Sequence, residues 1–149
     1  MQREILFRGE LSHVNIWVEG NLIIANNGCQ YIIPSDVFEP DGHHLIIDSD
    51  DPWRVDENTI CQFTGLTDKN GTKVFEGDII KAPSGRLYVV IWYTWINDEK
   101  RNKFLTDRCK FTGWCISKYG INPSDTLDRE TLKGKVIGNV YDNPELIYG

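Results

Sequence analysis

The feature that most constrains the fold is the stretch from Gln62 to Lys81, which reads QFTGLTDKNGTKVFEGDIIK. Its glycines, Gly65, Gly71 and Gly77, suit positions where the backbone must turn. Asp68 to Gly71 predicts a type I turn that ends with Gly71 in the left-handed conformation. The turns separate short strands predicted at 60–63, 73–75 and 79–81. The stretch therefore predicts antiparallel β-structure, and it contains no recognisable catalytic motif.

The N-terminal third also favours strands. Residues 4–8, 14–18, 22–25 and 29–33 have the short apolar runs of β-strands, and Pro34 ends the last of them. Turns are predicted at 19–21 and at 26–28, where glycine follows one or two polar residues. This part predicts an antiparallel meander, followed by one helical turn at 35–38 with Ser35 as its N-cap.

The segment from 39 to 56 interrupts this pattern with an irregular, acidic connection that includes Asp48–Asp51. Mixed polarity and turn residues are typical of a connection between substructures. We therefore predict two domains, one covering 1–58 and one covering 59–149, which could also pack as one compact unit.

The C-terminal part contains the longest predicted strand, at 86–96, and both of its faces are apolar. A turn at 83–85 precedes it. A strand at 111–117 that Gly113 interrupts, a short helix within 125–133 and a last strand at 136–141 follow. Asn143 and Pro144 then match the N-cap and first position of a helix. A Gly-Asp strand entry, a glycine turn and a Trp-bearing strand resemble the opening of SH3-like barrels.

The predicted fold class is therefore mostly β: an N-terminal antiparallel meander plus an SH3-like small barrel, with one or two short helices. Several motifs along the chain resemble the YopX family. The motifs are Arg8–Gly9, Trp17–Gly20, Phe63–Leu66, Asp68–Gly71, Phe75–Ile80 and Val136–Leu146. The resemblance implies a barrel after the acidic connection and an origin in bacteriophages or prophages. It implies no activity and no catalytic residues, because the family is uncharacterised.

Composition excludes some functions and disfavours others. The net charge of −6 disfavours non-specific attraction to nucleic acid or anionic lipid. The cationic run from Lys100 to Lys110 is diluted by acidic residues. No apolar stretch is long enough to span a bilayer, and no signal-peptide pattern occurs, so a cytoplasmic protein of the host cell is expected. The four cysteines form no CxxC pair and are expected to stay reduced; we predict no metal and no cofactor.

The polar residues of these motifs are better explained by structure than by catalysis. Glu76 and Asp78 could share a strand face as an acid–base pair, but Gly77 between them favours a bend in which Asp78 bonds to the turn backbone. The same structural role is predicted for the other motif residues. These are Gly65, Asp68, Asn70, Gly71, Glu76, Gly77, Asp78, Gly138, Asn139, Asn143 and Pro144.

The best candidates for an interaction surface are the aromatic residues Tyr88, Trp92, Trp95 and Trp114. Small barrels often bind ligands through exposed aromatic side chains. The alternative is that these rings fill two packed faces of the long strand. The sequence therefore favours a non-catalytic binding or accessory module. A protein partner or self-association is expected; a nucleic-acid-binding regulator and an oligomeric structural component are the alternatives.

Overall fold

The structure is a computed structural model that describes residues 2–37, 52–97 and 109–149, with side chains except at 37, 95–97 and 109–111. It is mostly β, as predicted. The chain divides into two compact units after Leu66, whereas the predicted boundary follows residue 58. The acidic run Asp48–Asp51, the loop at 98–102 and most of the cationic run lie outside the described residues. None of the described helices is long and apolar enough to span a membrane.

The N-terminal unit is built on an antiparallel sheet. Its strands are β1 (Phe7–Glu10), β2 (Trp17–Ile24), β3 (Gln30–Ile33) and β4 (Cys61–Thr67), in the spatial order β3-β2-β1-β4. Short 3-10 turns occur at Ser35–Val37 and Glu57–Thr59, and the first confirms the predicted helical turn. The core of this unit is the buried cluster of Val18, Ile32 and Val55.

The turn predicted at 19–21 is wrong, because β2 runs through it without interruption. Gly20 lies opposite Phe7 in the β1–β2 ladder. A Cβ atom at Gly20 would collide with the backbone carbonyl of Ile33, so glycine serves close packing at this position and not a turn. The turn at 26–28 is confirmed, since Gly28 has φ +85° and donates to the carbonyl of Ala25 at 2.9 Å.

The C-terminal unit contains a five-stranded antiparallel sheet with the order β10-β6-β7-β8-β9. The elements are β5 (Lys73–Phe75), β6 (Asp78–Lys81), β7 (Leu87–Asn97), β8 (Cys109–Ser117), β9 (Asp125–Thr126), α1 (Arg129–Leu132), β10 (Lys135–Asn139) and α2 (Glu145–Tyr148). Val74, Ile80 and Val90 form its buried core, against which Leu132 of α1 and Val136 of β10 pack. Among the described residues β9 and β10 do not pair, so closure into an SH3-like barrel stays a prediction.

Three local predictions from Gly65 onward need correction. Gly65 does not end a strand, because β4 continues through it to Thr67 with φ +84° at the glycine. Gly113 does not break β8, which pairs with β7 throughout. Asn143 does not cap α2 with its side chain: Pro144 is the N-cap, and the Asn143 amide oxygen accepts instead from the N–H of Asn139 at 3.4 Å.

Candidate interaction surface

The inner part of β7, residues 87–90, belongs to the core. Val89 and Val90 point to opposite faces of the sheet, and they are 2% and 0% exposed. β6 pairs with β7 only from Leu87 to Val89. Both faces of this part are therefore covered, which explains why the strand is apolar on both sides.

Beyond Val90, β8 is the one described strand with which β7 pairs. We call residues 91–97 and 109–115 the outer ribbon; its register places Trp92 opposite Trp114 and Thr94 opposite Thr112. No other described strand extends the ladder on the β7 side of this ribbon. The outer ribbon thus has two described strands over most of its length, and at its inner end Cys115 of β8 also pairs with Thr126 of β9.

Main-chain hydrogen bonds show which pairs in the outer ribbon lie closest. The carbonyl of Val90 accepts from the N–H of Gly77 at 2.8 Å, so the main-chain groups of Val90 point away from β8. On β8, the carbonyl of Trp114 likewise points away from β7, since it accepts from the N–H of Leu127 at 2.9 Å. Trp92–Trp114 is therefore a non-hydrogen-bonded pair, the kind in which opposite side chains come closest.

The two indoles use this closeness to form an edge-to-face contact. Their ring centroids are 4.7 Å apart, with an angle of 70° between the ring planes. Such aromatic pairs contribute about 0.5–1.5 kcal/mol beyond the burial of their surface. Trp92 is 50% exposed, whereas Trp114 packs against the core cluster of the C-terminal unit. The contact with Trp114 thus links a half-exposed indole to the core.

Two further polar features accompany the indole pair. The hydroxyls of Thr94 and Thr112 are 2.9 Å apart and hydrogen-bonded on the exposed ribbon. The indole Nε1 of Trp114 is buried, and no described residue accepts a hydrogen bond from it. Sequence analysis missed the two threonines. The signal for them was available, because they occur at the same spacing from Trp92 and Trp114 along the two strands.

The structure brings together two of the four predicted aromatic residues. Trp92 and Trp114 are in contact, whereas Tyr88 is half-buried and lies opposite Ile80, on the inner part of β7. Trp95 pairs with Phe111 in the ladder, and its side chain lies outside the described residues. The candidate surface therefore centres on Trp92.

Gly77 and Asp78, two of the motif residues, lie at one bend of the chain. Gly77 has φ +80°; its N–H donates to Val90 and its carbonyl accepts from the N–H of Val140 at 2.9 Å. Asp78 is 1% exposed, and its carboxylate accepts from the N–H of Phe75 at 2.8 Å. This confirms the prediction that Asp78 binds the turn backbone.

The end of β10 has a comparable arrangement. The amide oxygen of Asn139 accepts from the N–H groups of Tyr141 and Asp142, both at 2.9 Å, and its amide nitrogen donates to the Asp142 carboxylate. The Asn143 side chain lies against Gly138, where a Cβ atom would collide with it. The motif residues in this segment thus form a structural turn.

The turn predicted at Asp68 to Gly71 is also confirmed. Gly71 has φ +78° and donates to the carbonyl of Asp68 at 3.0 Å. One carboxylate oxygen of Asp68 accepts from the N–H groups of Asn70 and Thr72. The Asp68 side chain therefore stabilises the turn from inside, which leaves it engaged in structure.

A separate cleft of about 670 Å³ lies within the N-terminal unit, between the 26–29 turn and residues 54–58. Its walls include Arg54, Asp56 and Glu57. The carboxylate of Asp56 is occupied by the turn, since it accepts from the N–H and the side-chain amide of Asn58 at 2.9 and 3.1 Å. Small-molecule sites are lined mainly by apolar groups, whereas this cleft is mostly polar. The outer ribbon is therefore the stronger candidate.

Comparison with protein-family models assigns this chain to a family. The model of the family described as YopX protein matches residues 10–148. The chain belongs to the YopX family. No curated protein matches it. The family match covers both units, so the motif turns and the outer ribbon all lie within the part shared with YopX.

Two further observations concern metal ligands and thiols in the described part of this YopX-family chain. Within the described part of the chain, no three His, Cys, Asp or Glu side chains lie close enough to hold a metal ion. Cys29 and Cys115 have free thiols, and the Sγ of Cys61 donates to the carbonyl of Thr59 at 3.2 Å. Burial raises the pKa of the Cys115 thiol, and the negative charge of Asp125 raises it further. Cys115 is therefore a buried, protonated thiol and a poor nucleophile.

Proposed function

We propose that this YopX-family chain is a non-catalytic protein-binding module, and that it binds its partner through the face of the outer ribbon that carries Trp92. The observation that supports this proposal is the exposure of Trp92, half of whose surface faces solvent. Tryptophan is enriched among the residues that contribute most to protein–protein binding. Trp114 fixes the Trp92 indole through the edge-to-face contact, which lowers the entropy lost on binding.

Charge favours a protein partner over nucleic acid. β7 contains no charged residue, and the chain has a net charge of −6. Surfaces that bind single-stranded nucleic acid combine stacking aromatics with a cationic groove, because phosphate contacts supply much of the affinity. The rival, a nucleic-acid-binding regulator, depends on the cationic run from Lys100 to Lys110, whose side chains lie outside the described residues. Salt-sensitive binding of DNA or RNA would support that rival.

The non-catalytic part of the proposal is supported by how the acidic motif residues are used. Asp68 and Asp78 both accept main-chain hydrogen bonds in turns. Asp128 likewise accepts from the N–H of Thr131 at 2.8 Å as the N-cap of α1. We propose the cytoplasm of a bacterial host as the setting, because the motifs resemble those of a family of phage and prophage proteins.

The test is a comparison of capture by three tagged proteins from a lysate of a phage-bearing host, with and without nuclease. The baits are the wild type, Trp92→Ala, and Tyr119→Ala as the matched control, because Tyr119 is an aromatic of the same unit with 67% exposure. A partner that resists nuclease, is lost with Trp92→Ala and is kept with Tyr119→Ala supports the proposal. Equal capture by all three baits contradicts the assigned surface. Capture that disappears with nuclease favours the nucleic-acid rival.

A further inference from the structure

The edge of β7 in the outer ribbon has main-chain groups that no described residue uses. The N–H and C=O groups of Val90 point away from β8. Because these groups alternate in direction along a strand, the N–H and C=O groups of Trp92 and Thr94 also point away from β8. β6 pairs with β7 only as far as Val89, and Gly77 binds Val90. The N–H and C=O groups of Trp92 and Thr94 therefore form an open sheet edge among the described residues.

Among the described residues, nothing protects this edge in the way that other edges of the chain are protected. Proteins usually block edge strands with charged residues, proline or a covering segment. In the N-terminal unit, residues 53–55 cover β3: the N–H of Ile32 donates to Trp53 and the N–H of Val55 donates to Gln30, each at 3.0 Å. β9 is short and carries Asp125. β7, by contrast, is eleven residues long and contains neither charge nor proline.

We propose that the β7 edge pairs antiparallel with the β7 edge of a second copy of this chain. An antiparallel register that places Trp92 opposite the second copy's Thr94 would satisfy the N–H and C=O groups of both residues reciprocally. The same register places Tyr93 opposite its own counterpart in a non-hydrogen-bonded pair, where aromatic side chains pack closely. The two outer ribbons would then form one continuous four-stranded sheet.

A two-fold pairing also explains why an uncharged strand suits this edge. Two-fold symmetry brings identical surfaces together, so a charged residue on the strand would lie near its own copy and repel it. None of the residues of β7 is charged. The net charge of −6 on each copy opposes association only weakly, because salt screens charges that are more than about 8–10 Å apart.

The inference does not depend on the proposed function, because a sheet edge binds through main-chain groups whereas the proposed partner binds the indole face. The pairing of one short strand segment is a small interface, so the dimer should be weak and concentration-dependent. Its presence is measured by sedimentation velocity on the purified full chain, from micromolar to millimolar concentrations. Failure of partner capture in a lysate would leave this measurement unaffected.

The decisive variants are Thr94→Pro and its matched control Thr112→Pro. Each substitution removes the hydrogen bond between the Thr94 and Thr112 hydroxyls. Each also removes a backbone N–H that the β7–β8 ladder does not use. Only Thr94, however, lies on the open edge of β7. We expect Thr94→Pro to weaken dimerisation at least about tenfold, because reciprocal main-chain hydrogen bonds are lost, and Thr112→Pro to leave it unchanged.

Thr94→Lys and Thr112→Lys repeat the comparison without changing the backbone, in case proline prevents folding. A charge at Thr94 would place lysine beside the two-fold axis and should separate the copies, whereas lysine at Thr112 should not. A wild-type chain that stays monomeric at millimolar concentration would overturn the inference. So would dissociation by the Thr94 and Thr112 substitutions to the same extent.

Discussion

The carboxylate of Asp68 accepts a hydrogen bond of 2.9 Å from the backbone N–H of Val136, a residue on β10 that is distant in the sequence. Its other oxygen accepts from Asn70 and Thr72 at 2.8 and 3.0 Å. One side chain that is 6% exposed therefore joins the turn after β4 to the last strand of the C-terminal unit. The turn sequence encodes part of the tertiary structure in addition to a local bend.

We expect Asp68→Ala to lower the free energy of unfolding by about 3 kcal/mol. The substitution leaves the N–H groups of Asn70, Thr72 and Val136 without their acceptor. These hydrogen bonds are part-buried, so each loss should cost about 1 kcal/mol, at the low end of the penalty of about 1–3 kcal/mol for an unsatisfied buried donor. Urea denaturation measures the change. Asp56→Ala is the matched control, because Asp56 also caps a turn but is exposed, so its loss should cost about 1 kcal/mol or less. Equal costs would contradict the proposed link to β10.

Asp68 should also make stability depend on pH. Burial raises the pKa of its carboxyl, but the N–H donors of Val136, Asn70 and Thr72 outweigh burial and hold the pKa below its ordinary value. A carboxyl whose pKa is lower in the folded state stabilises that state fully above its unfolded pKa of about 3.9. This stabilisation is then lost as the pH falls through the lower, folded pKa.

The measurement is the free energy of unfolding between pH 7 and roughly pH 3, at constant ionic strength. The wild type should become less stable below about pH 4. Asp68→Asn should be less stable at neutral pH and show a shallower loss on acidification. Part of the slope should remain in that variant, because the hydrogen bond from Thr131 also lowers the pKa of Asp128. An identical slope in both proteins would show that Asp68 does not titrate with a lowered pKa.

Sequence reasoning succeeded where the cause of a structure is local. Gly71 has φ +78° because the type I turn before it needs a left-handed residue, and the residues Asp68 to Gly71 contain that requirement. β7 was also predicted, since an apolar run of its length with β-branched and aromatic residues has few other structures available.

Sequence reasoning failed where the cause lies elsewhere in the chain. Gly20 was interpreted as a turn residue, but glycine is needed there because the carbonyl of Ile33 on the next strand approaches it. For the candidate site, the aromatic residues could be nominated from the sequence. Which of them meet depends on the register of β8, and the open edge depends on where β6 stops, so neither could be inferred from strand patterns alone.

The two indoles of the outer ribbon should be energetically coupled and unequal. Trp114→Ala should cost about 3 kcal/mol because it opens a cavity against the core, whereas Trp92→Ala removes a half-exposed side chain and should cost about 1 kcal/mol. A double-mutant cycle should give a coupling of about 0.5–1.5 kcal/mol between them. The cycle of Trp114 with Tyr119 is the control and should give no coupling. Additive effects of the two tryptophans would show that the edge-to-face contact contributes nothing.

Gly77 should be among the least replaceable residues of the C-terminal unit. At φ +80° a β-branched side chain is strained, and the N–H and C=O of Gly77 bind Val90 and Val140, so the backbone cannot relax without breaking those bonds. We expect Gly77→Val to lower the free energy of unfolding by about 3 kcal/mol or more.

Gly85→Val is the matched control. Gly85 has φ +84°, yet it lies in a turn with open space around it. Its backbone can therefore adjust, and the control should cost about 1–2 kcal/mol. Thermal and urea denaturation of the two variants distinguish strain alone from strain held in place by the Val90 and Val140 bonds. Equal destabilisation would assign the whole effect to the positive φ and none to the bend that these bonds fix.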